Sequence, residues 1–231
     1  MIKNLFLDLD DTLFDFHKEE KIALSRTFLH FGVEPTEEVL ARYSEINKSQ
    51  WQLLEIGALT RAEVLTRRFT LLFSEYGLSL DEKEVSDYYA HSLSLGYSFI
   101  EGAKELLDYL YGRYRLYITS NGTTFVQMGR IKNSGIGKYF NGIFTSQEIG
   151  YEKPDAQFFY FCFSKIPDFK KEETLILGDS LTSDIKGGKN AGILTVWFNP
   201  HGKSASEKPD YEVRSLKEFS ELLEALNAEN N

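Results

Sequence analysis

Five short apolar runs, each closing on a polar cluster, constrain this chain more than any other feature. They lie at 4–9, 115–119, 142–145, 174–177 and 193–198, and are rich in Ile, Leu, Phe or Tyr. Runs of this length and composition suit strands buried on both faces. Helical patterns lie between them, at 101–112, 123–133, 155–165 and 182–191. In 101–112, Leu106, Leu107 and Leu110 share a face and Gly112 marks the stop. The 182–191 segment starts at Thr182 or Ser183 and leads to Gly192, a helix-to-strand stop. Strand and helix in alternation predict an α/β fold: a parallel sheet with helices on both faces.

Residues 15–96 break this rhythm. They hold no convincing strand and read as about four helices. Thr36 is a plausible cap before Glu37, Thr60 to Glu63 spells a capping box, Gly77 ends one helix and Asp81 or a neighbour opens the next. The expected organisation is therefore a core of 1–14 and 97–231 with an all-helical insert of 15–96. A closing helix is expected over 215–226. A length of 231 residues suits one large domain, or a core with a smaller partner.

Charge and cysteine content narrow the function. A net charge of −9 argues against a nucleic-acid polymer as partner, which needs a basic face. Small phosphorylated substrates respond to local charge and stay open. Cys162 is the single cysteine, so neither an internal disulfide nor a multi-cysteine metal site is expected. His17, His30, His91 and His201 are scattered without paired ligand spacing. Carboxylates interrupt the first apolar run, and no run reaches the roughly 18 residues of a membrane span. A cytoplasmic protein without membrane contact is expected.

The chemistry gathers where the strands end. The first run closes on Asp8-Leu9-Asp10-Asp11-Thr12. Asp8 and Asp10 bracket a strand end where the chain turns, so both reach one site. Like charges about 4 Å apart repel by roughly 4 kcal/mol at an effective dielectric of about 20. A divalent cation resolves that repulsion, and an all-oxygen site favours Mg²⁺. The second run closes on Ser120-Asn121-Gly122: a hydroxyl, an amide and a glycine that fit a phosphate, though the same triplet is a common turn. Lys153 follows the third run in a loop anchored by Pro154, where it either reaches a site or stays solvated. The fourth run closes on Gly178-Asp179-Ser180 and continues to Asp184, where Ser183 or Asp184 could also cap a helix. In a parallel sheet these four ends share one edge, the edge where ligands bind.

DLDDT (8–12), ITSNG (118–122), EKPD (152–155) and GDSLTSD (178–184), in this order and spacing, resemble the haloacid dehalogenase superfamily of phosphohydrolases over nearly the whole chain. The resemblance implies a Rossmann-like core with a helical cap of the family's first type, and residues 15–96 look like that cap. It implies Asp8 as nucleophile, forming an aspartyl-phosphate, and Asp10 as acid for the leaving alkoxide and then base for water. Mg²⁺ would take the Asp8 carboxylate, the Asp10 backbone carbonyl and Asp179, with Asp184 holding metal-bound water or assisting coordination. Thr12, Ser120, Asn121 and Lys153 would bind the transferring phosphoryl group, Lys153 also facing Asp8. Dehalogenating members lack an aspartate two residues after the nucleophile; Asp10 therefore points to phosphoryl transfer.

Within the insert, Asn47, Trp51, Gly57, Thr60, Arg68 and Phe69, together with DDTLFDF (10–16), are similar to the pattern of bacterial 5′-nucleotidases acting on pyrimidine nucleoside monophosphates. Trp51 could stack on a base or ribose, but an aromatic at helical spacing more often packs in a core. The implied substrate is a small phosphorylated metabolite of the nucleoside monophosphate type. A phosphosugar or sialic-acid-type phosphatase, or a phosphomutase, would share every core motif. A non-catalytic phosphoryl receiver shares the acidic cluster, hydroxyl and lysine but lacks the helical insert.

Overall fold

The computed structural model describes residues 1–205 and 207–228; Ser206 and residues 229–231, which fall in the expected core span 97–231, lie outside the described residues. The chain divides into two compact units. The first holds Met1–Asp15, Phe99–Thr124 and Gly135–Asn231, and the second Phe16–Ser98 and Phe125–Ser134.

The first unit is built on a six-stranded sheet in the order β3-β2-β1-β4-β5-β6, parallel throughout. Its strands are β1 Asn4–Leu7, β2 Arg115–Ser120, β3 Gly142–Thr145, β4 Thr174–Gly178, β5 Leu194–Phe198 and β6 Tyr211–Val213. Every residue of β1 and β4 is buried, as expected of central strands in a sheet covered on both faces. Leu7 lies opposite Ile118 on one side and Leu177 on the other. β6 has no counterpart in the sequence reading. Its three residues include exposed Glu212, so no apolar run announces it.

Phe6 points into an aromatic cluster with Tyr117, Phe158, Phe159 and Phe163. The last three belong to α8, Ala156–Ser164, which begins at the side-chain cap of Asp155 on Gln157. Strand alternation turns Leu5 and Leu7 to the opposite face, where both are fully buried. α5 (Ala103–Leu110) and α10 (Leu216–Ala228) pack against each other. The expected helix 182–191 is in two parts, a π-helical turn Leu181–Ile185 and then α9, Lys186–Ala191. A four-residue helix, α7 (Ser146–Ile149), follows β3.

The second unit holds α1 Phe16–His30, α2 Glu37–Glu55, α3 Arg61–Tyr76 and α4 Glu82–Leu95. Thr36 caps α2, Thr60 and Glu63 form the capping box of α3, Gly77 closes α3 in a left-handed conformation and Asp81 caps α4. Leu24, Phe28, Tyr43, Phe69, Leu72, Val85 and Tyr89 form its core. α6, Thr124–Ser134, groups with these helices from Phe125 on, although the expected core span included it. Gly129 lies so near Ser94 that a Cβ would stand 2.7 Å from its carbonyl oxygen, and the Asn133 amide donates to that carbonyl at 3.2 Å. Among the described residues, no helix is long and apolar enough to cross a membrane.

Candidate active site

β1 delivers the first acid. The Asp8 N–H donates to the Leu177 carbonyl at 2.9 Å, continuing the β1–β4 ladder one residue past Leu7. The chain then turns tightly: the Leu9 carbonyl accepts from the N–H groups of Leu13 (3.0 Å) and Phe14 (2.8 Å), and Asp11 adopts a left-handed φ of 55°. Aspartate tolerates that region better than most residues. The turn buries Thr12 completely, and its hydroxyl finds no hydrogen-bond partner. Asp10 is half-buried in the same turn.

Lys153 is the hub. It is 1% exposed, and its ammonium donates to Asp8 Oδ1 at 2.7 Å, Asp184 Oδ1 at 2.6 Å and the Thr119 carbonyl at 2.8 Å. Three acceptors satisfy its three donors. Its main chain is held too: its N–H donates to Asn121 Oδ1 at 2.9 Å, and Asn121 Nδ2 donates to its carbonyl at 2.8 Å. The solvated alternative for this lysine is thereby set aside. Ser120 is buried at the end of β2, where its Oγ accepts from the Gly122 N–H at 3.0 Å.

The β4 end supplies the remaining acids. The π-helical turn folds Asp184 back so that its Oδ2 accepts from the Ser180 N–H at 3.1 Å. Gly178 makes room for it, since a Cβ there would stand 2.3 Å from the Asp184 carboxylate. The indole N–H of Trp197, on β5, donates to the Asp179 carbonyl at 2.8 Å, just past the Gly178–Trp197 register pair. Neither Gly178's steric role nor Trp197's bond has a local sequence signal; both depend on strand neighbours.

Oxygens of Asp8, Asp179 and Asp184 lie within 4.8 Å of one another, and among the described residues this is the carboxylate group of a size to hold an ion. Cation–oxygen distances of about 2.0–2.6 Å put ligand oxygens at comparable separations. Burial pushes the Asp8 carboxyl well above the usual carboxylate range; Lys153 opposes the shift, while Asp184 and Asp10 add to it. Burial also raises Asp179, reinforced by Asp8, Asp184 and Asp11. Burial works to lower the Lys153 ammonium, but Asp184 and Asp8 outweigh it and hold the group above its usual range. Were all three carboxylates ionised, they and the ammonium would sum to −2, a charge that a divalent cation would balance. The donor set fits such an ion: hard oxygens, crowded and short of positive charge.

Of the insert residues singled out in the sequence, Asn47, Trp51 and Arg68 fall into one polar network of the helical unit. Asn47 Oδ1 accepts from Trp51 Nε1 and Arg68, both at 3.0 Å, and its amide donates to Glu20 at 2.7 Å. Ser44 donates to the other Glu20 oxygen at 2.6 Å. Gly57 is a left-handed turn, Thr60 a cap, and Phe69 is fully buried. Trp51 is half-buried, with the Arg61 guanidinium 5.5 Å from its ring.

Comparisons with known proteins agree on the family. A family model described as haloacid dehalogenase-like hydrolase matches residues 5–198. YfnB of Bacillus subtilis is 40% identical over 230 residues, covering 99% of this chain and 97% of that protein. Its magnesium-bound crystal structure aligns with a TM-score of 0.92 over 96% of this chain and 99% of that one. The pyrimidine 5′-nucleotidase PynA of Streptococcus pneumoniae is 39% identical, with 96% of this chain and 95% of that protein covered. The pyrimidine 5′-nucleotidase YjjG of Escherichia coli is 30% identical, with 95% and 96% covered.

Proposed function

The chain belongs to the haloacid dehalogenase-like hydrolase family, and on that premise we propose that it is a Mg²⁺-dependent phosphatase of small phosphate monoesters, with pyrimidine nucleoside 5′-monophosphates as its substrates. The observation that carries this reading is the buried Lys153 ammonium bonded at once to Asp8 and Asp184, with Asp179 beside them. An acid cluster with a built-in counter-cation suits a dianionic phosphoryl group that must meet an anionic carboxylate.

In this reading the Asp8 carboxylate attacks phosphorus and the bond to the ester oxygen breaks. Asp10, protonated, hands its proton to the departing alkoxide. Asp10, now a carboxylate, takes a proton from water as that water attacks the phosphorus of the aspartyl-phosphate. Inorganic phosphate leaves and Asp8 is restored. Two displacements replace one step whose uncatalysed barrier is very high. Ser120 and Thr12 bind the phosphoryl oxygens, and Lys153 joins them by exchanging one of its three present acceptors for a phosphoryl oxygen, which sets the in-line geometry. Asp8, Asp179, Asp184 and the Asp10 backbone carbonyl would hold Mg²⁺, which supplies charge neutralisation between nucleophile and phosphoryl group.

The substrate assignment is supported by the two nucleotidases, which match over nearly the full chain. A reducing cytoplasm suits a chain whose single cysteine, Cys162, leaves no internal disulfide to form. A panel of UMP, dTMP, CMP, purine nucleotides, sugar phosphates and phosphorylated acids tests the assignment. The expected result is a kcat/KM for the pyrimidine nucleotides roughly 10-fold or more above the other classes, abolished by EDTA and restored by Mg²⁺. A preference for sugar or sialic acid phosphates would overturn the nucleotide assignment, and full turnover in EDTA would overturn the metal's role.

A further inference from the structure

We propose that Asn121 is a positioning residue for Lys153, rather than the phosphate ligand its place beside Ser120 suggests. The inference rests on the reading of Lys153 as the ammonium that meets the phosphoryl group. The Asn121 side chain bonds both main-chain groups of Lys153, accepting from its N–H at 2.9 Å and donating to its carbonyl at 2.8 Å. An amide paired in this way with one peptide residue acts as a short piece of strand. It fixes where Lys153 starts and which way its side chain leaves.

The other end of Lys153 is fixed from the same place. Thr119, on the other side of Ser120, offers its carbonyl to Nζ at 2.8 Å. The two neighbours of Ser120 thus grip Lys153 at both ends, across 34 and 32 residues of chain. A lysine has four rotatable side-chain bonds and a mobile head. Held at both ends, it presents that head to Asp8 and Asp184 without searching, and in fixed relation to the Ser120 hydroxyl. Loss of the main-chain anchor frees Lys153 to shift by the fraction of an ångström that catalytic geometry does not tolerate.

A double-mutant cycle on the metal-loaded enzyme with p-nitrophenyl phosphate tests this. Asn121→Ala is expected to lower kcat by about 10- to 100-fold with KM moved less than about 3-fold, the signature of misplacement rather than of a lost substrate contact. In a Lys153→Arg background, which keeps the buried charge but not the lysine geometry, the same substitution is expected to cost less than about 3-fold, because nothing remains for Asn121 to position. Equal losses in both backgrounds would mean that Asn121 acts on the phosphate independently, and would overturn the proposal. So would an Asn121→Ala enzyme whose kcat per folded molecule is unchanged while its melting temperature falls. Should that variant not fold, Asn121→Asp serves in the same cycle: it keeps the acceptor for the Lys153 N–H and removes the donor to its carbonyl. Wild-type kcat in Asn121→Ala beside a crippled Lys153→Arg would overturn this inference alone; wild-type kcat in Lys153→Arg would overturn the functional reading beneath it.

Discussion

Thr12 carries a cost to the fold that the proposed phosphate contact would offset. Its hydroxyl is buried without a partner in the turn after β1. Such a group forfeits roughly 1–3 kcal/mol of hydration. Replacing it by a methyl of the same shape removes that cost. Thr12→Val is therefore expected to leave the unfolding free energy unchanged or raise it by about 1 kcal/mol. In the same variant KM for a phosphate ester is expected to rise about 10-fold, through loss of a charge-assisted bond to the phosphoryl group. Urea denaturation and steady-state kinetics on one preparation check both halves. A destabilised variant with intact kinetics would assign the hydroxyl to the fold instead.

At the scale of elements, the site depends on how closely the turn after β4 folds back on its own strand. Asp184 lies against Gly178, and a methyl there would collide with its carboxylate. Gly178→Ala is expected to cost about 1–3 kcal/mol of stability and to displace Asp184 from Lys153. Calorimetric Mg²⁺ titration is expected to show affinity reduced about 10-fold or more, as the displaced carboxylate no longer completes the charge balance. Unchanged stability and unchanged metal affinity together would contradict the geometry. The elements themselves were largely legible. Five apolar runs became five strands, buried throughout or after the first residue except β3, whose first three residues are half-buried, and the caps at Thr36, Thr60 and Asp81 sit where composition placed them. Legibility failed where the deciding partner is distant in sequence. β6 is recognisable only by its pairing with β5, and α6 reads as an ordinary crossover helix until Gly129 and Asn133 meet Ser94. In the site, the motif residues converge as a parallel sheet requires, since its strand ends share one edge. The partners of Asn121 and Trp197 were not legible, because a side chain bonding another residue's main chain leaves no pattern in either segment.

For the whole molecule, local charge overrides the total. The chain carries a net charge of −9, yet the cluster of Asp8, Asp179, Asp184 and Lys153 is of a kind to hold a cation, through which the proposed function has it meet a phosphate. The first unit's core is tight enough to silence its thiol. Cys162 is fully buried, and burial pushes its ionisation well above the ordinary thiol range. At pH 8 the native protein is expected to resist a disulfide reagent such as DTNB, and to release one thiol equivalent once unfolded in denaturant. Rapid native labelling would show that the aromatic cluster around α8 opens readily.

The central claim, that the phosphoryl group passes through Asp8, is tested most directly by catching it there. Enzyme mixed with substrate and Mg²⁺ is quenched in acid during turnover, digested, and read by mass spectrometry. The account predicts the peptide containing Asp8 to carry one phosphoryl group, discharged by hydroxylamine and absent from Asp8→Asn. An unmodified Asp8 peptide throughout rapid turnover, or the phosphoryl group on another residue, would contradict it.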